Sequence, residues 1–273
     1  MIIALRFLSV VVLSLMVIGA WFYYVRLDFI YVFDESPARP AGMPRTELRQ
    51  IPAFGDDPPL SVWLTEPEAG QPVVLYFMGE AGTLSVDEPR LRRMAEAGFG
   101  IAAMAYRGGG GQPGKPSEAT LYRDALRLFA GLDRLYGRTV PDTDRVIYGY
   151  SLGAGLATRL AAEQEELALI LEAPFTDFCA VKTGVIAIWP GCVLYAGQEY
   201  DIRSWIPAAG APVLILHGNI DERVPLRQGR AVFAAARAPK FMEVYTGGGH
   251  DNLARFGAIE DAIGFVKTLR GER

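Results

Sequence analysis

From about residue 60 to the C-terminus, short apolar runs alternate with stretches whose apolar residues recur at helical spacing. The run Val73–Phe77 is apolar throughout, as in a strand that is buried on both faces, whereas Glu118–Tyr136 repeats leucine and alanine every three or four residues. Further strands are predicted at 100–106, 145–148, 167–171, 213–216 and 241–245, and further helices at 85–97, 151–164, 225–236 and 253–269. This order predicts an α/β fold with a mostly parallel central sheet and helices on both faces.

The alternation also predicts the domain organisation. Residues 46–51 and 60–64 have the composition of an antiparallel pair that opens the sheet, and a proline-rich linker with Pro37, Pro40 and Pro44 precedes them. Residues 34–273 are long enough for one α/β domain with a large core. Between 174 and 207 the rhythm breaks into an aromatic stretch punctuated by glycine and proline, which we expect to form a small cap over the C-terminal ends of the strands.

Residues 1–33 are predicted to be a membrane anchor with a short juxtamembrane segment. The nineteen residues from Phe7 to Val25 contain no charge and end in the aromatic run 21–24; as a helix they would be roughly 28 Å long, close to the hydrocarbon thickness of a bilayer. A cleavable signal peptide is the competing interpretation, but its apolar region is usually shorter and ends at small residues. Basic residues on the two sides do not decide the orientation; we expect the catalytic domain on the extracytoplasmic side.

The strand at 145–148 runs into Gly149-Tyr150-Ser151-Leu152-Gly153, and a helix is predicted immediately afterwards. A strand, a sharp turn carrying serine between two glycines and a helix form the context of a nucleophile elbow. The turn holds the serine hydroxyl clear of the sheet, while side chains in place of Gly149 and Gly153 would collide with neighbouring backbone. Ser151 is therefore the candidate nucleophile.

A serine nucleophile needs a base, and the sequence contains two histidines. His250 lies in a glycine-rich loop after the last predicted strand, whereas His217 ends the apolar run at 213–216 and is expected to hold a turn. Carboxylates that could orient the base also follow strands: Asp221 after the same run, and Glu172 and Asp177, the fallback candidates, after the preceding one.

Two backbone N–H groups are candidates for an oxyanion hole. Leu152 lies at the N-terminus of the helix after the nucleophile, and Glu80 lies in the loop Met78-Gly79-Glu80-Ala81-Gly82 after the strand Val73–Phe77. A carboxylate at position 80 would oppose developing negative charge. It must therefore point away, be protonated, or belong to a site that is not a simple oxyanion hole.

With these motifs in place, the sequence resembles the α/β-hydrolase superfamily, in particular the single-pass, membrane-anchored members related to serine aminopeptidases and protein depalmitoylases. The matching blocks are the loop 78–82, Tyr-Arg-Gly at 106–108 with Pro-Ser-Glu at 116–118, the elbow 149–153, His-Gly at 217–218 with Asp221 and Val-Pro at 224–225, and Gly-Gly-His at 248–250. The chain departs from the family at Met78 and Glu80, where the family carries His and Asn.

The resemblance implies a triad in the chain order serine, acid, histidine, which makes Asp221 the acid and His250 the base. It implies a serine hydrolase that cleaves esters, thioesters or amides through an acyl-enzyme and needs no cofactor. The apolar residues of the predicted cap (185, 186, 188, 189 and 193–195), together with the anchor, favour an acyl-chain ester as substrate and the lipid bilayer as partner, although they could equally pack as core. The alternative is a membrane-tethered binding protein in which Glu80 has weakened catalysis.

Composition and charge argue against nucleic-acid binding and metal binding. The formal net charge is −4 and no basic block is present, so a nucleic-acid partner is not expected. No cluster of residues has the spacing of metal ligands. The two cysteines, Cys179 and Cys192, could form a disulfide in an oxidising compartment or be two buried thiols, and the sequence leaves both possibilities open.

Overall fold

A computed structural model of the chain describes residues 2–182, 192, 195–237 and 239–272. The strands are β1 (Thr46–Ile51), β2 (Leu60–Thr65), β3 (Val73–Phe77), β4 (Gly100–Met104), β5 (Arg145–Tyr150), β6 (Ala168–Glu172), β7 (Val213–Gly218) and β8 (Lys240–Tyr245). The α-helices are α1 (Ile2–Ile30), α2 (Glu88–Glu96), α3 (Glu118–Tyr136), α4 (Leu152–Glu163), α5 (Phe178–Lys182), α6 (Ile202–Trp205), α7 (Leu226–Ala235) and α8 (Ala258–Leu269).

The strands form one eight-stranded sheet in the order β1-β2-β4-β3-β5-β6-β7-β8. β1 pairs antiparallel with β2 and β2 with β4, whereas every other neighbouring pair is parallel. Every residue of β3, β4, β6 and β7 is buried, because helices cover both faces of the sheet. The predicted mostly parallel α/β fold, opened by an antiparallel pair, is confirmed.

Several predicted elements differ from the structure by one to three residues at their ends, among them the helix predicted at 85–97, which is Glu88–Glu96, and the strand predicted at 100–106, which is Gly100–Met104. Two differences bear on the site. The helix expected over 253–269 is two pieces: a 3₁₀ turn (Leu253–Phe256) and α8, separated by Gly257 in the left-handed region with φ 93°. The strand predicted at 145–148 continues to Tyr150, because Gly149 and Tyr150 pair with Leu171 and Glu172 of β6. This extension places the C-terminal end of β5 directly beside Ser151.

Helix α1 contains one apolar segment, Arg6–Asp28, that is long enough to cross a membrane, and in the structure it is exposed. A signal sequence would satisfy the same test of length and composition. The stretch with Pro37, Pro40 and Pro44 was expected to be a linker, but it packs onto the domain, as does the juxtamembrane segment before it. Ile30, Tyr31, Phe33, Ala38 and Met43 are all buried in the main hydrophobic core.

The described part of the predicted cap lies beside the C-terminal ends of the strands. Phe178 contacts the rings of Phe175, Tyr195 and Tyr200, with centroid distances between 5.4 and 5.9 Å. Cys179 and Cys192 form a disulfide, with their Cα atoms 5.3 Å apart, which settles the choice that the sequence left open. The apolar residues expected at 185, 186, 188, 189, 193 and 194 lie outside the described residues, and the domain boundaries at 33, 174 and 207 stay predictions.

Candidate active site

Ser151 occupies a sharp turn between β5 and α4. Its backbone has φ 50° and ψ −114°, a left-handed conformation that a residue other than glycine rarely adopts. The Ser151 N–H donates to the carbonyl oxygen of Glu172 at 2.9 Å. The flanking glycines allow close approach, since a Cβ on Gly153 would lie 2.0 Å from the Phe77 oxygen and one on Gly149 2.5 Å from the Gly153 oxygen. This is the local geometry that the elbow pattern predicts.

The structure joins Ser151, His250 and Asp221 in one chain of hydrogen bonds. His250 Nε2 lies 2.9 Å from Ser151 Oγ, and His250 Nδ1 lies 2.8 Å from Asp221 Oδ2. All three residues are buried, with exposed fractions of 8%, 8% and 5%. These contacts have the arrangement of the serine, histidine and carboxylate in a serine hydrolase triad.

Asp221 is fixed by the turn that follows β7. Its Oδ1 atom accepts the backbone N–H groups of Arg223 at 3.0 Å and Val224 at 2.8 Å, which leaves Oδ2 directed at His250. Burial alone would raise the pKa of Asp221, but the hydrogen bond from His250, the His250 charge and the Val224 N–H outweigh it, so the pKa is lowered. The carboxylate is therefore ionised at neutral pH and can stabilise a histidinium.

The other candidates lie near the site in different roles. His217 is fully buried and its Nε2 lies 2.8 Å from the Val224 carbonyl oxygen; burial lowers its pKa. Asp177 accepts the N–H of Ala180 in α5. Glu172 is completely buried and holds Arg90 through two hydrogen bonds, at 2.8 and 3.0 Å. These contacts give Glu172 a structural partner, whereas Asp221 is the carboxylate in contact with His250.

A buried charged cluster under the elbow was missed by the sequence reasoning. Arg90 also donates to Asp87 at 2.9 Å, and Tyr148 donates to Glu172 at 2.6 Å. Burial raises the pKa of Asp87 to about 6, although the positive charge of Arg90 opposes the shift. Nothing in the sequence marks Arg90, because an arginine in an amphipathic helix is usually solvated; its partner Glu172 lies 82 residues away.

Tyr150 connects this cluster to the histidine loop. Its ring lies 4.2 Å from the Arg90 guanidinium carbon, in the geometry of a cation–π contact. Its hydroxyl donates to Asp251 Oδ1 at 2.7 Å and lies 3.3 Å from the His250 carbonyl oxygen. Tyr150, which precedes Ser151, thus also holds the loop that carries His250.

The two candidate oxyanion residues, Glu80 and Leu152, line the same cavity as Ser151. After burial, the negative charge of Glu80 is the next cause that raises the pKa of Tyr195, and the same charge contributes to the raised pKa of Tyr31. Glu80 is thus within electrostatic range of Tyr31 and Tyr195, and it also lines the cavity that contains Ser151 and His250. Among the described residues no group of acidic, histidine and cysteine side chains could hold a metal ion.

Two cavities meet at Ser151 and His250, and both are also lined by Glu80 and Arg223. One, of about 180 Å³, has an apolar wall. That wall consists of Leu152, Phe175, Phe178, Val181 and Val224. The other, of about 100 Å³, is lined by charged and polar side chains that include Asp87, Arg90, Tyr150 and Asp251. The two cavities therefore share Ser151, His250, Glu80 and Arg223, and they differ in the apolar side chains of the first and in the charged residues Asp87, Arg90 and Asp251 of the second.

The sequence matches the family model described as serine aminopeptidase, S33, over residues 71–190. A Mycobacterium tuberculosis protein described as uncharacterized is 35% identical over 182 residues, which cover 66% of this chain and 63% of that protein. Lysophosphatidylserine lipase ABHD12 of Rattus norvegicus is 29% identical over 187 residues, 62% of this chain and 46% of the relative. The chain thus spans between 46% and 63% of the length of these two curated relatives.

Solved structures share the fold at lower identity. The α/β hydrolase GrgF from Penicillium sp. sh18 matches with a TM-score of 0.65 and 16% identity, over 83% of this chain and 99% of GrgF. The esterase Est2 of Thermogutta terrifontis, with butyrate bound, matches with a TM-score of 0.64 and 20% identity, over 84% of this chain and 95% of Est2. At these identities the likeness establishes the fold alone.

Proposed function

We propose that this chain is a membrane-anchored serine hydrolase of the α/β-hydrolase superfamily that cleaves an acyl ester through Ser151, His250 and Asp221. The hydrogen-bonded chain of these three residues at a strained elbow carries the proposal. It favours an active enzyme over a tethered binding protein, because a binding site needs neither the strained serine nor the buried histidine–carboxylate pair.

The hydrogen bonds among Ser151, His250 and Asp221 assign a role to each residue in the reaction. His250 Nε2 accepts the Ser151 proton while Oγ attacks the ester carbonyl carbon, and the carbonyl π electrons move onto its oxygen. Backbone N–H groups of Leu152 and Glu80 stabilise that oxyanion. Collapse breaks the bond to the alcohol oxygen, which takes the proton from His250 and leaves as an alcohol. Water then repeats the cycle on the acyl-enzyme, releasing the acid, while Asp221 holds the imidazolium.

The two cavities support an amphiphilic substrate. The apolar cavity beside Leu152, Phe175 and Val181 suits an acyl chain, and the charged cavity suits a polar leaving group. The similarity to relatives described as lysophosphatidylserine lipases also supports a lipid ester as the substrate. Esters are preferred to amides here because expulsion of an alcohol requires less assistance than expulsion of an amine; thioesters remain within the same mechanism.

Two features support a location at the outer face of a membrane. The apolar segment of α1 is long enough to anchor the chain in a bilayer. The disulfide between Cys179 and Cys192 is a bond that persists in oxidising compartments and is rare in the cytosol. These two features support the proposal that the catalytic domain lies on the extracytoplasmic side.

A substrate panel tests the proposal. The full chain in detergent would be assayed on monoacylglycerols, lysophospholipids and p-nitrophenyl esters of increasing acyl length, with Ser151→Ala and, as a matched control, the exposed serine variant Ser85→Ala. Hydrolysis that requires Ser151, survives Ser85→Ala and increases with acyl length is expected. Activity on short esters alone would remove the lipid assignment, and activity that persists in Ser151→Ala would remove the mechanism.

A further inference from the structure

We propose that the junction segment, defined here as residues 27–38, is a positioning element of the active site in addition to a tether. Resting on the proposed function, the inference is that this segment holds the loop 78–83, which carries the Glu80 N–H, in its working position. The enzyme would then turn over at its full rate only while the junction segment is docked.

Phe33 is wedged between two glycine-containing loops. A Cβ on Gly82, in the loop 78–83, would lie 2.2 Å from the Phe33 ring, and a Cβ on Gly109 would lie 3.0 Å from Phe33 Cβ. On a third side the ring packs on Tyr106, with the centroids 5.9 Å apart. Gly82 also has φ 69°, so a side chain is disfavoured there for a second reason. The loop therefore has a notch that Phe33 fills.

The backbone of the junction segment bridges the same two loops. The Asp34 N–H donates to the Ala81 oxygen at 3.1 Å, and the Gly110 N–H donates to the Asp34 oxygen at 2.7 Å. Further along, the Ala38 N–H donates to the Gly110 oxygen at 3.2 Å. The segment thus lies between the loop 78–83 and the loop at 108–112, with hydrogen bonds to both.

Tyr31 fixes the other side of the segment to the base of the cap. Its hydroxyl donates to Gln198 and lies 2.8 Å from the hydroxyl of Tyr200, with all three residues buried. Gln198 also accepts the N–H of Glu118 at 2.7 Å, at the start of α3. The residues that follow the apolar segment therefore contact both the cap base and the candidate oxyanion loop.

A mere tether would not need these contacts. The preceding residues of α1 are exposed along the apolar segment, whereas Ile30, Tyr31 and Phe33 are buried in the domain. An oxyanion donor acts only at hydrogen-bond distance from the developing charge, and removal of one such donor costs about 10²–10³ in kcat. A small shift of the loop 78–83 is therefore expected to reduce kcat and to leave substrate binding largely intact.

The test uses the full chain in detergent with p-nitrophenyl butyrate, a soluble ester that does not require a bilayer. Phe33→Ala is expected to lower kcat by about 10- to 100-fold with KM within about twofold, since part of the oxyanion stabilisation is lost. Phe33→Leu, which fills most of the notch, is expected to lower kcat by about threefold. Val32→Ala is the control, because Val32 is 73% exposed, and it should match the wild type.

Hydrogen exchange separates positioning from general destabilisation. In Phe33→Ala the amides of residues 79–83 should exchange faster, while those of β6 keep their wild-type protection. Wild-type kcat in Phe33→Ala, or equal loss of protection in the loop and in β6, would overturn the proposal. If Phe33→Ala does not fold, Phe33→Leu decides: full kcat there is the contrary result. A wild type that hydrolyses no ester would instead contradict the proposed function.

Discussion

Replacement of Glu172 tests whether this carboxylate stabilises the fold, through its buried ion pair with Arg90, and takes no part in catalysis. Glu172 is fully buried and forms two hydrogen bonds with Arg90, which is itself 6% exposed, and accepts a third from Tyr148. In Glu172→Ala the Arg90 charge stays buried with Asp87 as its remaining acidic partner. Removal of one partner from a buried ion pair typically costs about 3–5 kcal/mol, and we expect a loss of that size.

The double variant Arg90→Met/Glu172→Leu gives the comparison. It removes both charges and fills the volume with apolar atoms, so its loss of unfolding free energy should be clearly smaller than the sum of the losses in the single variants. Urea unfolding of the detergent-solubilised chain, followed by tryptophan fluorescence, measures both effects. A Glu172→Ala protein within about 1 kcal/mol of the wild type, or strictly additive losses, would refute the buried-pair reasoning.

The kcat values of Glu172 and Asp221 variants test which of the two carboxylates orients His250. Glu172→Gln, normalised to its folded fraction, should retain kcat within about tenfold, because the side chain does not contact His250. Asp221→Asn should lose about 10⁴ in kcat while it keeps its fold, since the amide favours the wrong histidine tautomer. If Glu172→Gln were the variant with the severe loss of kcat, the triad acid would have to be reassigned.

Three further predictions concern Tyr150, Asp87 and Glu80. Tyr150→Phe removes the hydroxyl that binds the histidine loop and should lower kcat about fivefold in steady-state assays, the value of one buried hydrogen bond; unchanged kcat would contradict a positioning role. The pKa of Asp87 is raised to about 6, above that of the unfolded chain, so the native state binds more protons between pH 4 and 6 and loses stability as pH rises through that window. Urea unfolding should show that Asp87→Asn lacks this component, on the order of 3 kcal/mol, whereas parallel pH profiles would refute it. Because the proposed mechanism uses the backbone N–H of residue 80 and not its side chain, Glu80→Asn should change the hydrolysis of a short p-nitrophenyl ester by less than about threefold; a large increase would favour the weakly catalytic alternative.

Sequence patterns within short segments predicted the strands, the helices and the elbow, because each of these depends mainly on residues that are close together in the chain. The alternation of apolar strands and helices gave the sheet, and the Gly149–Gly153 pattern gave the elbow, because a sharp strand-to-helix turn places strict limits on its flanking residues. Helix α3 (Glu118–Tyr136) matches its predicted ends because Ser117 caps one end and Gly137 the other. By contrast, the break at Gly257 was missed, since a helical period continues across it.

Contacts between distant segments could not be predicted in the same way. The pair Arg90–Glu172 joins a helix to a strand end that lies 82 residues further on. Arg90 has the pattern of an ordinary surface charge, and the position of Glu172 after a strand indicated a possible triad acid but no partner in α2. The docking of Phe33 depends on a notch that Gly82 and Gly109 form only after the sheet has assembled. The proline-rich composition of residues 37–44 indicated a linker because it contains few apolar residues, and the burial of Ala38 and Met43 comes from tertiary packing.

Reaction of the folded full chain with a fluorophosphonate probe tests whether Ser151 is an activated nucleophile. The probe forms a stable adduct only with an activated serine, and peptide mass spectrometry identifies the residue. The account predicts one adduct on Ser151, slower labelling in His250→Ala, and loss of the adduct in Ser151→Ala. A folded wild-type chain that stays unlabelled, or an adduct that persists in Ser151→Ala, would contradict it.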